Sequence, residues 1–150
     1  GHDTTTNMIG MGALFMLRDP AMAQRLREQP DRMRAAVEEF LRFVSPVQFS
    51  PRRVARVDVE LAGVQIRQGE GLFLSLASGN RDESVFADPD RIDIDRDAGA
   101  HLTFGFGIHQ CLGQVLARIE LQVMFEVLLA RLPTLQLAVP LQSLRFNKNI

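Results

Sequence analysis

The segment Phe104–Gly113, FGFGIHQCLG, decides how the rest of the chain is read. It holds the single cysteine, Cys111, with Gly105, Gly107 and Gly113 around it and His109 two positions before it. Directly after it, LGQVLARIELQVMFEVLLARL carries apolar residues at helical spacing and stops at Pro133. A cysteine in permissive backbone, just ahead of a long helix, admits four readings.

Gly105-Phe106-Gly107 begins the pattern of a dinucleotide loop, GxGxxG. The sixth position is Gln110 and no strand-like run leads directly in, which excludes that reading. A zinc site from His101, His109 and Cys111 lacks a fourth soft ligand and any familiar spacing. The third reading is a plain structural cysteine buried at a helix start, the commonest state of a lone cysteine. Taken alone, the segment favours it. The fourth accounts for more of the residues. A helix N-terminus favours a thiolate, and glycines let the backbone press against something flat. An anionic sulfur in a tight, water-poor loop is what haem iron takes as an axial ligand.

The rest of the chain sets bounds. With 150 residues, 46% hydrophobic and 23% charged, it has material for one domain with a real core. A net charge of -1 gives no electrostatic footprint for nucleic acid or an anionic membrane. One cysteine excludes an internal disulfide and a CxxC site. The longest apolar run, Met8–Leu17, is too short to span a bilayer and no signal peptide precedes it. It reads as a buried helix, with no membrane anchor and a cytoplasmic setting as the expectation.

Outward from the cysteine segment, the pattern predicts a mainly α chain with small antiparallel hairpins. The first seventeen or so residues read as a helix. Asp19-Pro20 predicts an N-cap and a helix to about Glu28, and Asp31 predicts a second cap, with a helix as far as Ser45-Pro46. Phe49 to Leu76 alternates with period two, broken at Gly63 and at Gly69-Glu70-Gly71, which predicts hairpins. NRDESVFADPDRIDIDRDAGAH predicts a long irregular loop, and Leu135 to Val139 a last strand.

FGFGIHQCLG resembles the haem-thiolate signature of the bacterial cytochrome P-450 family, Phe-Gly-x-Gly-x-His-x-Cys-x-Gly. Phe104, Gly105, Gly107, His109, Cys111 and Gly113 meet each fixed position. The resemblance extends over nearly the whole chain, as a single partial domain (residues 1–150), the C-terminal part of the family's fold truncated at both ends. It implies haem b as cofactor with Cys111 as iron ligand and O2 as co-substrate. Arg53 in PRRVARVDVELAG and His109 are implied as partners of the haem propionates. His101 in HLTFGFG is implied near a propionate by a common bacterial variant. Glu39-Phe40-Leu41-Arg42 matches the family's Glu-x-x-Arg pair, implied to be tied to Arg96 in the irregular loop rather than to Arg91. Gly1-His2-Asp3-Thr4-Thr5 resembles the oxygen-activation motif. Asp3 is implied to gate protons and Thr4 to hold water or peroxide, at a place where the threonine hydroxyls open the helix. Each match also has a plainer reading: a surface i,i+3 ion pair for Glu39 and Arg42, a solvated strand charge for Arg53, an N-cap cluster for Asp3 and Thr4.

The resemblance further implies a monooxygenase that inserts one oxygen atom into a small organic substrate. Electrons would come from outside, from a ferredoxin or flavoprotein reductase. Gln110 stands where many relatives carry a basic residue. Against the family's length the chain starts in the middle of the distal helix and stops at RFNKNI, short of the closing hairpin. That implies a fragment without turnover of its own. A second expectation, from another class, is a haem-free fragment that repacks, or pairs as a homo-oligomer through the surface left by the missing half, with Cys111 a free thiol.

Overall fold

The computed structural model describes residues 2–146. Gly1, the first residue of the proposed oxygen-activation motif, and the last four residues of the sequence lie outside the described residues. The helices are α1 (His2–Arg18), α2 (Pro20–Glu28), α3 (Met33–Val44), the single turn α4 (Leu76–Gly79) and α5 (Gln114–Arg131).

α1, α3 and α5 pack around one aromatic centre. Phe40 on α3 is fully buried, with the Phe15 ring of α1 5.6 Å away and the Phe125 ring of α5 5.8 Å away, nearly perpendicular. Such tilted and edge-on pairs suit the ring quadrupoles. α1 approaches α5 closely at Gly12, where a Cβ would lie 2.2 Å from the Phe125 ring. Only glycine fits there.

Local signals explain most element ends. The Asp19 carboxylate accepts from the Met22 N–H at 2.9 Å and Pro20 starts α2, as the Asp-Pro pair predicts. Asp31 does not cap α3. Pro30–Arg32 forms a 3-10 turn that runs directly into the helix, so the first α residue is Met33. Ser45 ends α3 in the left-handed region, φ 44°, and its hydroxyl donates to the Arg42 carbonyl.

The β segments are β1 (Arg53–Val54), β2 (Val59–Leu61), β3 (Val64–Ile66) and β4 (Gly71–Leu72). β2 and β3 form an antiparallel hairpin with Val59 opposite Ile66, and β1 pairs antiparallel with β4. The turn of the hairpin has Ala62 and Gly63 both at positive φ, the requirement of a type I′ turn. The segment Leu135–Val139 is not a strand. A strand needs a neighbour to complete its hydrogen bonds, and none of the described residues pairs with it.

The loop from Asn80 to His101 has no regular structure beyond turns, yet Phe86, Ile94 and Ala98 within it are buried. Its backbone carbonyls are gathered by Arg42 and Arg96. No helix among the described residues is long and apolar enough to cross a membrane.

Candidate haem-thiolate site

Cys111 is exposed and sits on a cavity of about 910 Å³. The volume is within the range of small-molecule and cofactor sites. Aliphatic side chains from three elements form much of its wall, among them Ile9 of α1, Leu41 of α3, and Leu116, Leu121 and Val123 of α5. Thr4, Arg53, Phe104, Gly105, His109 and Gly113 also line it. Seven residues named from the sequence, counting Cys111, thus meet around one space despite being drawn from Thr4 to Gly113.

Two glycines and a run of backbone hydrogen bonds shape the cysteine loop. Gly105 and Gly107 have φ of 71° and 75°, which side-chain-bearing residues rarely adopt. Between Gly107 and His109 the backbone makes a 3-10 turn, and the Cys111 N–H then donates to the Phe104 carbonyl at 2.8 Å. That bond closes the loop and delivers the thiol three residues ahead of α5. Gly107 itself does not line the cavity; its part is the turn.

On the α1 side, Thr4 reaches the cavity and Asp3 does not. The Asp3 side chain is 91% exposed, and His2 Nδ1 lies 3.2 Å from its carboxylate. The Thr6 hydroxyl bonds back to the His2 carbonyl at 2.8 Å, and the Asn7 amide to the Asp3 carbonyl at 2.9 Å. The helix nevertheless runs without a break from His2, so the expected opening at Thr4 is absent. Side-chain back-bonding here accompanies the helical ladder instead of replacing it.

Behind the cavity, Glu39, Arg42 and Arg96 come together. Arg42 donates to both Glu39 oxygens, at 2.7 and 2.8 Å, and Arg96 Nε reaches Glu39 Oε1 at 3.3 Å. The Asp93 N–H adds a bond to Glu39 Oε1 at 2.8 Å. Glu39 and Arg42 are fully buried, far from the solvated ion pair that i,i+3 spacing alone would suggest. Arg42 Nη1 also binds the Asn80 and Pro89 carbonyls, and Arg96 binds those of Ala87 and Asp88. The Arg91 side chain turns instead to Asp93.

His101 points into the protein interior. It does not line the cavity; its side chain is almost fully buried, with Nε2 3.0 Å from Glu38 Oε2 and Nδ1 accepting from the Thr103 N–H. Glu38 also receives Arg118 of α5 in a two-pronged contact, at 2.7 and 3.1 Å. Burial raises the carboxyl pKa of Glu38, but bonds and charge from His101 and Arg118 outweigh it and hold the pKa down to about 2. Glu38 escaped sequence reasoning. The available signal was two adjacent acids inside the apolar run AAVEEFLRFV.

Comparison with known proteins decides the family. The model of the Cytochrome P450 family matches residues 1–135. The chain belongs to the cytochrome P450 family. Cytochrome P450-SU2 of Streptomyces griseolus is 48% identical over 98% of the chain. The biotin biosynthesis cytochrome P450 of Bacillus subtilis is 49% identical over 92% of it. Among solved P450 structures, ligand-free CYP105P1 superposes with a TM-score of 0.93 at 48% identity, covering 99% of this chain and 38% of that one. The fold is therefore part of the P450 fold. The chain spans about 36% of the length of the curated P450 relatives it matches. P450 proteins bind haem b and use O2. The residues around the cavity suit such a group: a thiol, a guanidinium and an imidazole on an otherwise largely apolar wall.

Proposed function

We propose that this chain forms the haem-thiolate site of a monooxygenase that inserts one atom of O2 into a small organic substrate. One observation carries the reading: Cys111, Arg53, His109 and Thr4 all line the same apolar cavity. In it, Cys111 Sγ ligates iron as thiolate, with Phe104, Gly105, Gly107 and Gly113 shaping the loop around it. The Arg53 guanidinium and the His109 ring bind the two propionate carboxylates, groups that need cationic or N–H partners when removed from water. Haem, when bound, supplies the redox chemistry on O2. The chain's own part is to hold the sulfur, exclude water and deliver protons.

Thr4 holds a proton-bearing water at the α1 wall of the cavity, and Asp3, exposed to solvent beside it, passes protons inward from bulk. Glu39, Arg42 and Arg96 brace the loop from behind and take no part in the chemistry. Electrons come from an external donor, a ferredoxin or a flavoprotein reductase. The segment spans 36% of a relative's length, and we propose that it does not turn over substrate alone.

The test is a visible spectrum with added haemin, reduced with dithionite under carbon monoxide. A Soret band shifted far to the red is expected, and Cys111→Ser is expected to abolish the shift while Arg53→Ala weakens haem retention. An unshifted band in the wild-type protein would overturn thiolate ligation. No haem uptake at all would leave Cys111 an ordinary exposed thiol in a haem-free fold.

A further inference from the structure

The cysteine loop is tethered by a side chain that touches neither the thiol nor the cavity. Glu38, on α3, accepts both prongs of Arg118 and the Nε2–H of His101. His101 Nδ1 is already occupied as acceptor of the Thr103 N–H at 3.2 Å, which assigns the ring proton to Nε2. Arg118 is thereby fixed in orientation. Its guanidinium carbon lies 4.5 Å from the centre of the Phe104 ring, and its third nitrogen donates to Gln114 Oε1 at 2.9 Å. Phe104 in turn supplies the carbonyl that receives the Cys111 N–H. A planar cation on an aromatic face and a two-pronged carboxylate contact are both geometrically demanding.

We propose that Glu38 is a positioning residue for Cys111, acting through Arg118 and Phe104. The inference rests on the haem-thiolate reading for its purpose, but the mechanical link does not depend on haem. The depressed pKa of the carboxyl fits a charge that is ionised wherever the protein is folded at ordinary pH. Two routes reach the loop from Glu38. Arg118 holds the Phe104 ring, while His101 and Thr103 hold the backbone just before it. With the carboxylate gone, Arg118 has Gln114 alone and is free to leave the ring.

The experiment compares three variants of the protein as isolated. Glu38→Gln keeps the shape and removes the charge. Arg118→Lys keeps the charge and removes both the two-pronged contact and the planar stacking. Arg27→Ala is the control: Arg27 bonds the Leu129 and Pro133 carbonyls and so loosens α5 at its far end only. Amide exchange of the Cys111 N–H is read first. Both test variants are expected to speed it by about tenfold or more, the control to leave it unchanged, with amides of Phe40 and Phe125 steady in all three. The second readout is the lifetime of the red-shifted ferrous–CO band, expected to shorten in the test variants alone.

Unchanged Cys111 exchange in both test variants, or an equal change in Arg27→Ala, overturns the proposal. If Glu38→Gln does not fold, Arg118→Lys decides by the same readings. A wild-type protein without the red-shifted band defeats the haem-thiolate reading. A wild-type band that Glu38→Gln keeps with the same lifetime defeats only the positioning role.

Discussion

Replacing Glu39 by glutamine keeps the side-chain volume and removes one charge from a site with no access to water. In the native arrangement the carboxylate accepts four hydrogen bonds: two from Arg42, one from Arg96 and one from the Asp93 backbone. A glutamine has one acceptor oxygen, and its amide turns two N–H donors toward groups that are themselves donors. Breaking a buried ion pair from one side costs about 3–5 kcal/mol, because the partner charge stays buried. Arg42 retains the carbonyls of Asn80, Pro89 and Arg91, which places the expected loss at the lower end, about 3 kcal/mol. For a chain of this size that corresponds to a fall of roughly 6–12 °C in Tm. Urea denaturation followed by far-UV circular dichroism measures it. A cycle with Arg42→Met separates the pair from its surroundings: the double variant should lose less than the sum of the singles. A loss below about 1 kcal/mol for Glu39→Gln would refute the buried network as the source of order in the loop.

Two further perturbations follow from single contacts. Gly12→Ala forces a methyl onto the Phe125 ring at 2.2 Å, and the gain in helix propensity offsets only part of the overpacking. Thermal melts should show a net loss of about 1–2 kcal/mol. Because the Glu38 carboxyl titrates near 2 when folded against 4.5 ordinarily, its contribution is present above about pH 5 and fades as pH falls toward 2. The stability advantage of wild type over Glu38→Gln should therefore shrink by about 3 kcal/mol across that range, read by denaturant titrations at several pH values.

The helices, the hairpin and the cysteine loop were legible in the sequence because each depends on neighbours along the chain. Asp19-Pro20 makes α2 begin where it does, and glycine alone tolerates the backbone at Gly105 and Gly107. The segment Leu135–Val139 failed for the opposite reason, since alternation describes a face and not a partner. Asp31 failed because the proline before it imposed a tighter turn than a capped helix start. Glu38 was illegible because its partners His101 and Arg118 lie 63 and 80 residues away. His101 turns inward to Glu38, a contact that its position in the motif does not reveal.

Glu38 and Glu39 are adjacent, so their side chains leave α3 about 100° apart, at 3.6 residues per turn. One carboxylate gathers the irregular loop and the other gathers α5 and the start of the cysteine loop. The two systems are joined at Asn80, which is fully buried. Its carbonyl accepts from Arg42, its amide nitrogen donates to Ser45 and Thr103, and its amide oxygen accepts from the Leu102 N–H. Thr103 donates onward to the Leu41 carbonyl and bonds His101 through its N–H. A polar seam thus runs from α3 to the start of the cysteine loop, and no buried side-chain nitrogen or oxygen among the described residues lacks a hydrogen-bond partner. Replacing such a seam by apolar packing would cost little stability. What apolar packing does not supply is direction. Hydrogen bonds anchor the backbone that leads into Phe104 and Cys111, while Ile9, Leu41, Leu116, Leu121 and Val123 keep much of the cavity wall aliphatic. The haem-thiolate role proposed for Cys111 asks for a fixed loop beside a largely apolar wall, and α3 supplies the first through Glu38 and Glu39 without placing either carboxylate on the second.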